Sequence, residues 1–247
     1  MNHVEFAAGL LAIGLASVGI ARWTRIEVGW QPLTALLRAA LQLSVVALLL
    51  RGVLSAPATT AAFVALMLAT ASWTSGGRLS AVPHGRRIAL LGVLAGAGSA
   101  LALAFAAGLV AFDARHVVAL SGIVIGNAMN AATLAGRRFA QNARQQRDEV
   151  EGWLALGATP ERAYDEIART AVREALLPNL DQTRATGLVT LPGAFVGALF
   201  GGASPIEAAE FQLVVLACVV LSMLVCGLVV ARSAARTPYI FVGEDSR

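Results

Sequence analysis

Seven apolar runs, at about 4–21, 33–50, 57–75, 88–110, 116–136, 185–202 and 209–231, dominate this chain and leave little else to fold. Each is apolar on all sides rather than along one stripe, as expected of helices that face lipid or lie inside a bundle. Within hydrocarbon every backbone polar group needs a partner in its own segment, so helices are expected rather than strands. The composition agrees. Hydrophobic residues make up 57%, charged residues 14% and the mean hydropathy is +0.70, against about 25% charged residues in a soluble domain. At 247 residues the chain has room for these runs and modest loops. We therefore expect an all-α polytopic membrane protein with about seven transmembrane helices, its residues 1–247 forming a single transmembrane domain.

Arginine placement sets the expected orientation. Arg22, Arg25, Arg78, Arg86, Arg87, Arg137, Arg138, Arg144, Arg147, Arg162, Arg169, Arg173, Arg184, Arg232, Arg236 and Arg247 fall on one side. Only Arg51 and Arg115 fall on the other, and Arg38 lies inside a run. By the positive-inside rule the first side is cytoplasmic, giving an N-terminus outside and a C-terminus in the cytoplasm. The run at 185–202 is interrupted by Leu191-Pro192-Gly193 and ended by Gly201-Gly202, so a kinked span and a re-entrant hairpin both remain open for it. The first run lacks a basic flank ahead of it, which argues against a cleaved signal peptide.

The net charge of +4 comes from arginine, because the chain contains no lysine. A P-loop needs its lysine at the nucleotide phosphates, and a Schiff-base enzyme needs an amine. Neither can be built here. No nucleophile–base arrangement suggests catalysis, so the chain is not expected to be an enzyme. His3, His84 and His116 are scattered over different loops, and no His, Cys or carboxylate spacing resembles a stable metal site, so no resident metal is expected. Cys218 and Cys226, on one apolar run, would stand about 12 Å apart along a helix. They read as small buried residues rather than a disulfide.

The one substantial polar stretch, 137–184, is expected to lie in the cytosol between spans five and six. It divides at Gly157-Ala158-Thr159-Pro160. Before the break, Glu151-Gly152-Trp153-Leu154-Ala155-Leu156 forms a short helix with an apolar knob. Gly157 permits a tight turn, Thr159 suits an N-cap and Pro160 the first helical position. An amphipathic helix follows, with Pro178 expected at its end. A transporter driven by a separate ATPase needs such a compact coupling helix to seat on its motor. An interfacial helix lying on lipid headgroups is the plainer alternative.

Glu151, Gly157 and Ile167 match the spacing of the cytoplasmic loop of ABC importer permeases, which begins Glu-Ala-Ala. Here Gly152 and Trp153 replace the two alanines, and the closing leucine-proline appears at Leu177-Pro178 rather than at 169–170. The wider chain resembles the FetB family of ABC permeases, linked in bacteria to iron export and in plants to aluminium tolerance. Five ordered motifs carry the resemblance: Arg38-Ala-Ala-Leu-Gln42-Leu, Gly126-Asn-Ala-Met-Asn-Ala131, Ala155-Leu-Gly-Ala-Thr-Pro160, Gly187-Leu-Val-Thr-Leu-Pro-Gly193 and Gly201-Gly-Ala-Ser-Pro205. It implies a homodimeric permease in the cell inner (plasma) membrane with two copies of an ABC ATPase subunit. ATP and Mg would sit on that partner, and no cofactor on this chain. ATPase docking falls on Glu151, Trp153, Leu154, Ala155, Leu156, Gly157, Ala158, Thr159 and Pro160.

Several polar residues inside the apolar runs are candidates for a substrate path. Asn127 and Asn130 share a helix face with Met129 beside them. They either line the route or hydrogen-bond between helices. Arg38 and Gln42 share a face of the second run, near enough to its end for Arg38 to snorkel. Glu207 and Glu210 flank the outer start of the last run; they attract cations or sit as ordinary interfacial carboxylates. Glycine stripes at Gly92/Gly96, Gly122/Gly126 and Gly193/Gly197/Gly201 suit close helix packing, with Pro192-Gly193 a candidate hinge. The expected function is export of iron or another metal ion by alternating access. The alternatives are an ABC permease for an organic solute such as a nucleotide sugar, and a partner-independent channel or secondary transporter.

Overall fold

The computed structural model describes residues 3–53 and 56–237, and these are almost entirely helical. The helices are α1 (His3–Trp23), α2 (Gln31–Val53), α3 (Pro57–Arg78), α4 (Gly85–Ala106), α5 (Ala114–Gln145), α6 (Arg147–Ala155), α7 (Pro160–Ala163), α8 (Asp165–Ala185), α9 (Gly193–Phe200) and α10 (Pro205–Ala235). Among the described residues, six are long and apolar enough to cross a membrane: α1, α2, α3, α4, α5 and α10.

The run at 185–202 departs from the seven expected crossings. Its first residue ends α8, and a turn follows in which Gly187, at φ 93°, donates its N–H to Thr190 O at 2.9 Å. Proline at 192 disfavours helical backbone at Leu191 before it and, itself extended at ψ 147°, forms the N-cap, so helix resumes at Gly193. It then lasts eight residues, about 12 Å of rise and too short to cross a bilayer. Gly202, at φ 94°, ends it in a left-handed turn with Ala203 N donating to Ala198 O at 3.1 Å.

Pro178 is a second difference. It stands inside α8 rather than at its end. A proline costs a helix one hydrogen bond and a clash with the preceding turn. Beyond it, the hydroxyls of Thr183 and Thr186 donate to the carbonyls of Asn179 (2.8 Å) and Gln182 (3.0 Å), tying the last turns together. The amphipathic segment is also broken near its start, at Tyr164, into α7 and α8.

Two compact units make up the chain, Met1–Thr59 and Thr60–Arg247. In the first, α1 and α2 pack together, and a side chain at Gly14 would meet Leu33 Cδ1 at 2.9 Å. The rest of this unit is largely an exposed aliphatic surface, including Leu37, Leu41 and Leu48, suited to acyl chains.

In the second unit α10 is the central helix, packed on α4, α5, α8 and α9. Small residues let these backbones approach. A Cβ at Gly92 would lie 2.7 Å from Val230 Cγ2, and one at Gly96 the same distance from Cys226 Cβ. The thiols of Cys218 and Cys226 are buried and free, and they donate to Ala100 O on α4 (3.8 Å) and Ala128 O on α5 (3.2 Å). Leu79, beyond the end of α3, fills the space at Gly136 of α5 and is fully buried. The other two glycine stripes are mixed. A Cβ at Gly122 would meet Met67 Cε of α3 at 3.2 Å and one at Gly201 the carbonyl of Ala198 at 3.2 Å, whereas at Gly126, Gly193 or Gly197 it would meet nothing within 4 Å.

Candidate functional site

The long helix α5 starts at a capped end. Asp113 accepts from the backbone N–H groups of Arg115 (2.9 Å) and His116 (3.1 Å), and its Oδ2 lies 2.6 Å from His116 Nδ1. The His116 backbone N–H, then its ring, hold the Asp113 carboxyl below the usual carboxylate range. The His116 ring also meets Phe211 of α10 edge-on, with centroids 5.8 Å apart. Helix α10 begins with a reciprocal cap: Ser204 accepts from Glu207 N (3.3 Å), and Glu207 accepts from Ser204 N (2.8 Å).

Between these helices, α8 and α9 lies a cavity of about 1170 Å³. Asn127, Asn179, Gln182, Thr183, Thr186 and Gln212 supply its uncharged polar groups. Arg115, His116 and Glu207, from the first turns of α5 and α10, are its titratable ones. Pro192, Gly193 and Gly197 of the α9 segment form part of the wall. Gln212 is buried and spends its Oε1 on Phe195 N at 3.2 Å, which pins α9 to α10.

The candidate path residues divide. Asn127 lines the cavity, its Nδ2 donating to Ile123 O at 2.8 Å. Asn130 is exposed, and Met129 packs against the core instead. Glu210 is exposed and outside the cavity wall, whereas Glu207 is in it. Arg38 and Gln42 are exposed on α2, in the other unit. Sequence reasoning missed the α8 residues. They sit in a polar, arginine-flanked stretch whose composition reads as loop. The signal available was the spacing of Asn179, Gln182, Thr183 and Thr186, which share one face of a helix only if the helix passes Pro178.

The second locus is the elbow between α6 and α7. Gly157, at φ 86°, donates to Leu154 O (3.0 Å) while Ala158 N donates to Trp153 O (3.0 Å), the paired bonds of a Schellman turn. Thr159 then caps α7 by accepting from Arg162 N at 3.4 Å, with Pro160 in the first helical turn. Val150 is buried and Leu154 packs on the core, but Trp153 is 43% and Leu156 83% exposed. Glu151 is held by Arg147 at 2.6 Å. The elbow is tied to the bundle by Tyr164, buried between α7 and α8, whose ring lies 5.6 Å from that of Phe139 on α5. Arg138–Glu174 (3.4 Å) joins α5 to α8, and Arg236–Glu161 (3.7 Å) joins the end of α10 to α7. Such exposed pairs are worth little in energy, so Tyr164 and Phe139 form the firmer joint.

Among the described residues, helices of membrane-spanning length, two of which border a polar-lined cavity, define a polytopic membrane protein. The chain belongs to the family described as Uncharacterised protein family (UPF0014), which matches residues 3–239. It is 35% identical over 222 residues to the UPF0014 membrane protein STAR2 of Oryza sativa subsp. japonica, covering 86% of this chain and 77% of the rice protein. Against Protein ALUMINUM SENSITIVE 3 of Arabidopsis thaliana, identity is 32% over 215 residues, 86% of this chain and 78% of the plant protein. Against the probable iron export permease protein FetB of Escherichia coli (strain K12), identity is 30% over 180 residues, 72% of this chain and 70% of that protein. The resemblance carried by the sequence motifs is thus borne out. No solved structure matches the chain.

Proposed function

We propose that this chain is the membrane-spanning permease subunit of an ATP-binding-cassette transporter in the plasma membrane. It exports iron or another metal ion by alternating access, paired with a second copy of itself and driven by a separate ATPase. The observation that carries this reading is the elbow. Trp153 and Leu156 offer an apolar knob on a rigid glycine-closed turn, while Val150 and Leu154 root the same short helix in the bundle. An exposed tryptophan on a fixed backbone is the kind of side chain whose burial carries most docking energy, and Leu156 beside it extends the apolar contact.

The route from knob to cavity is short and stiff. A displacement of α6–α7 reaches Tyr164, then Phe139 on α5 and the start of α8. From there α8 runs about 22 Å as a helix to Asn179 at the cavity. Both α5 and α8 thus join the elbow at one end and line the cavity further along. ATP-driven closure of the partner would bias two arrangements of these helices, and so two exposures of the cavity. The name of the Escherichia coli relative supports export of a metal ion.

The test is co-purification. Wild-type chain is expected to retain a co-expressed candidate ABC ATPase, and Trp153→Ala with Leu156→Ala to lose it while still inserting in the membrane. Retention of the ATPase by the double variant would refute docking through the elbow.

A further inference from the structure

The corner between α3 and α4 is packed hard against α5, and it carries charge that nothing beside it offsets. Leu79, just past Arg78, is fully buried. A Cβ at Gly136 would lie 2.8 Å from Leu79 Cδ2, so the leucine rests on α5 one residue before Arg137. The start of α4 closes the corner, since a Cβ at Gly76 would meet Arg86 Cα at 2.9 Å. Arg78 and Arg137, far apart in sequence, are thereby held at one hollow of about 520 Å³. Arg144, two turns further along α5, lines it as well. Ser80, Gln141 and Gln145 supply the other polar side chains; each is neutral and can donate as well as accept, so none cancels the charge.

Three guanidiniums line this hollow and no carboxylate does. Neighbouring arginines of α5 and α6 are engaged: Arg138 pairs with Glu174 at 3.4 Å and Arg147 with Glu151 at 2.6 Å. Among the described residues, Arg78, Arg137 and Arg144 form no ion pair. Like charges gathered at one place repel, and an anion held among them relieves that cost. The guanidinium fork fits the oxygens of a phosphate two at a time. Topology alone asks for arginines on this side of the membrane, not for three converging on one hollow from two elements.

The level of the hollow selects the source of the anion. Arg78 is the last residue of α3, and Arg137 is the first past the apolar run 116–136. Both stand where hydrocarbon gives way to headgroups. Trp73, also on α3, is 70% exposed, and the Arg86 guanidinium lies over its ring at 4.9 Å. An exposed tryptophan near a span end belongs to the interfacial belt. Basic hollows between spanning helices at this level suit anionic headgroups.

We propose that Arg78, Arg137 and Arg144 form a binding site for the phosphate of an anionic lipid, at the arginine-rich side of the membrane. The lipid ties the α3–α4 corner to α5, the helix that also lines the cavity. The site requires the membrane-spanning fold and not the transport function proposed above.

The full chain in a mild detergent is titrated with dioleoyl phosphatidylglycerol and with dioleoyl phosphatidylcholine, and bound lipids are counted by native mass spectrometry. Phosphatidylglycerol should bind about tenfold or more tightly than phosphatidylcholine, which carries the same phosphate beside a cation. Arg78→Gln and Arg137→Gln should each weaken phosphatidylglycerol binding about fivefold, the worth of one arginine at a lipid surface. Arg25→Gln, which removes one charge outside the hollow, should leave it unchanged. All of these side chains are exposed, so melting temperatures should match the wild type; Arg144→Gln, further from the packed corner, repeats the test if the corner loosens. Equal affinity for the two lipids would overturn the proposal, as would unchanged binding in the hollow variants. Equal weakening by Arg25→Gln would also overturn it, as the mark of diffuse charge. Displacement of the lipid by inorganic phosphate would assign the site to a free anion instead. Unchanged lipid binding with loss of a co-expressed candidate ATPase in Arg78→Gln and Arg137→Gln would assign the face to a protein.

Discussion

Replacing Gly96 by alanine tests the packing that holds the cavity-forming bundle together. A Cβ there would fall 2.7 Å from Cys226 Cβ and 3.1 Å from Cys226 N, and would overlap the carbonyl oxygen of Ser222. Carbon contacts are comfortable only from about 3.5 Å. The obstacles are chiefly backbone and Cβ atoms of α10, which no rotamer change can move. Helices α4 and α10 would therefore have to part by about 1 Å along their seam. Overpacking of this kind costs about 1–3 kcal/mol, and immovable neighbours place Gly96→Ala at the upper end, about 2–3 kcal/mol. For a chain of this size that corresponds to a melting temperature lower by roughly 5–10 °C. Gly98, on the same helix, is the internal control, since a Cβ there meets nothing within 4 Å. Gly98→Ala should be neutral or stabilising by about 0.5–1 kcal/mol through lower backbone entropy. Thermal unfolding of the two variants in one detergent, followed by circular dichroism, makes the comparison. Equal shifts for Gly96→Ala and Gly98→Ala would mean that the α4–α10 seam yields at Gly96 without cost.

Other consequences are equally specific. Gly157→Ala forces a side chain onto φ 86° with no clash to confuse the result; it should cost about 1–2 kcal/mol locally and lower ATP-coupled transport more than membrane insertion, read by transport in vesicles beside expression level. Asp113→Ala removes the cap of α5 and should cost about 1 kcal/mol. Because the Asp113 carboxyl is held below its ordinary range, its contribution is fully present above the unfolded carboxylate pKa and fades as pH falls through the lower folded value. Melting curves at pH 7 and pH 3 should therefore differ less in Asp113→Ala than in the wild type. Ser204→Ala, which breaks the reciprocal cap of α10, should cost a similar amount, visible in the same assay.

Much of this architecture was legible in the chain because lipid imposes so strong a rule. Six of the seven apolar runs became long helices, with α5 continuing past 136 to Gln145, and the turn at Gly157 with its Thr159 cap appears as its residues dictate. Proline was harder to read. Pro178 sits inside α8, where two threonine hydroxyls brace the turns beyond it, while Pro192 takes an extended backbone and serves as the N-cap from which α9 starts. Residues 179–186 were the principal loss for the site. Their polarity reads as loop, and only tertiary packing against α5 and α10 turns that same polarity into a cavity wall. The converse holds for Asn130, which shares a helical face with Asn127 by spacing but is exposed, because neighbouring helices rather than helical period decide which part of a face is covered.

Dependence on a separate motor is read most directly by transport in proteoliposomes containing this chain alone, its candidate ATPase alone, or both. Iron(II) should move against a gradient only where both proteins and hydrolysable ATP are present, and that movement should be lost with Trp153→Ala and Leu156→Ala. Movement of iron(II) by the lysine-free chain alone, indifferent to nucleotide, would contradict that dependence.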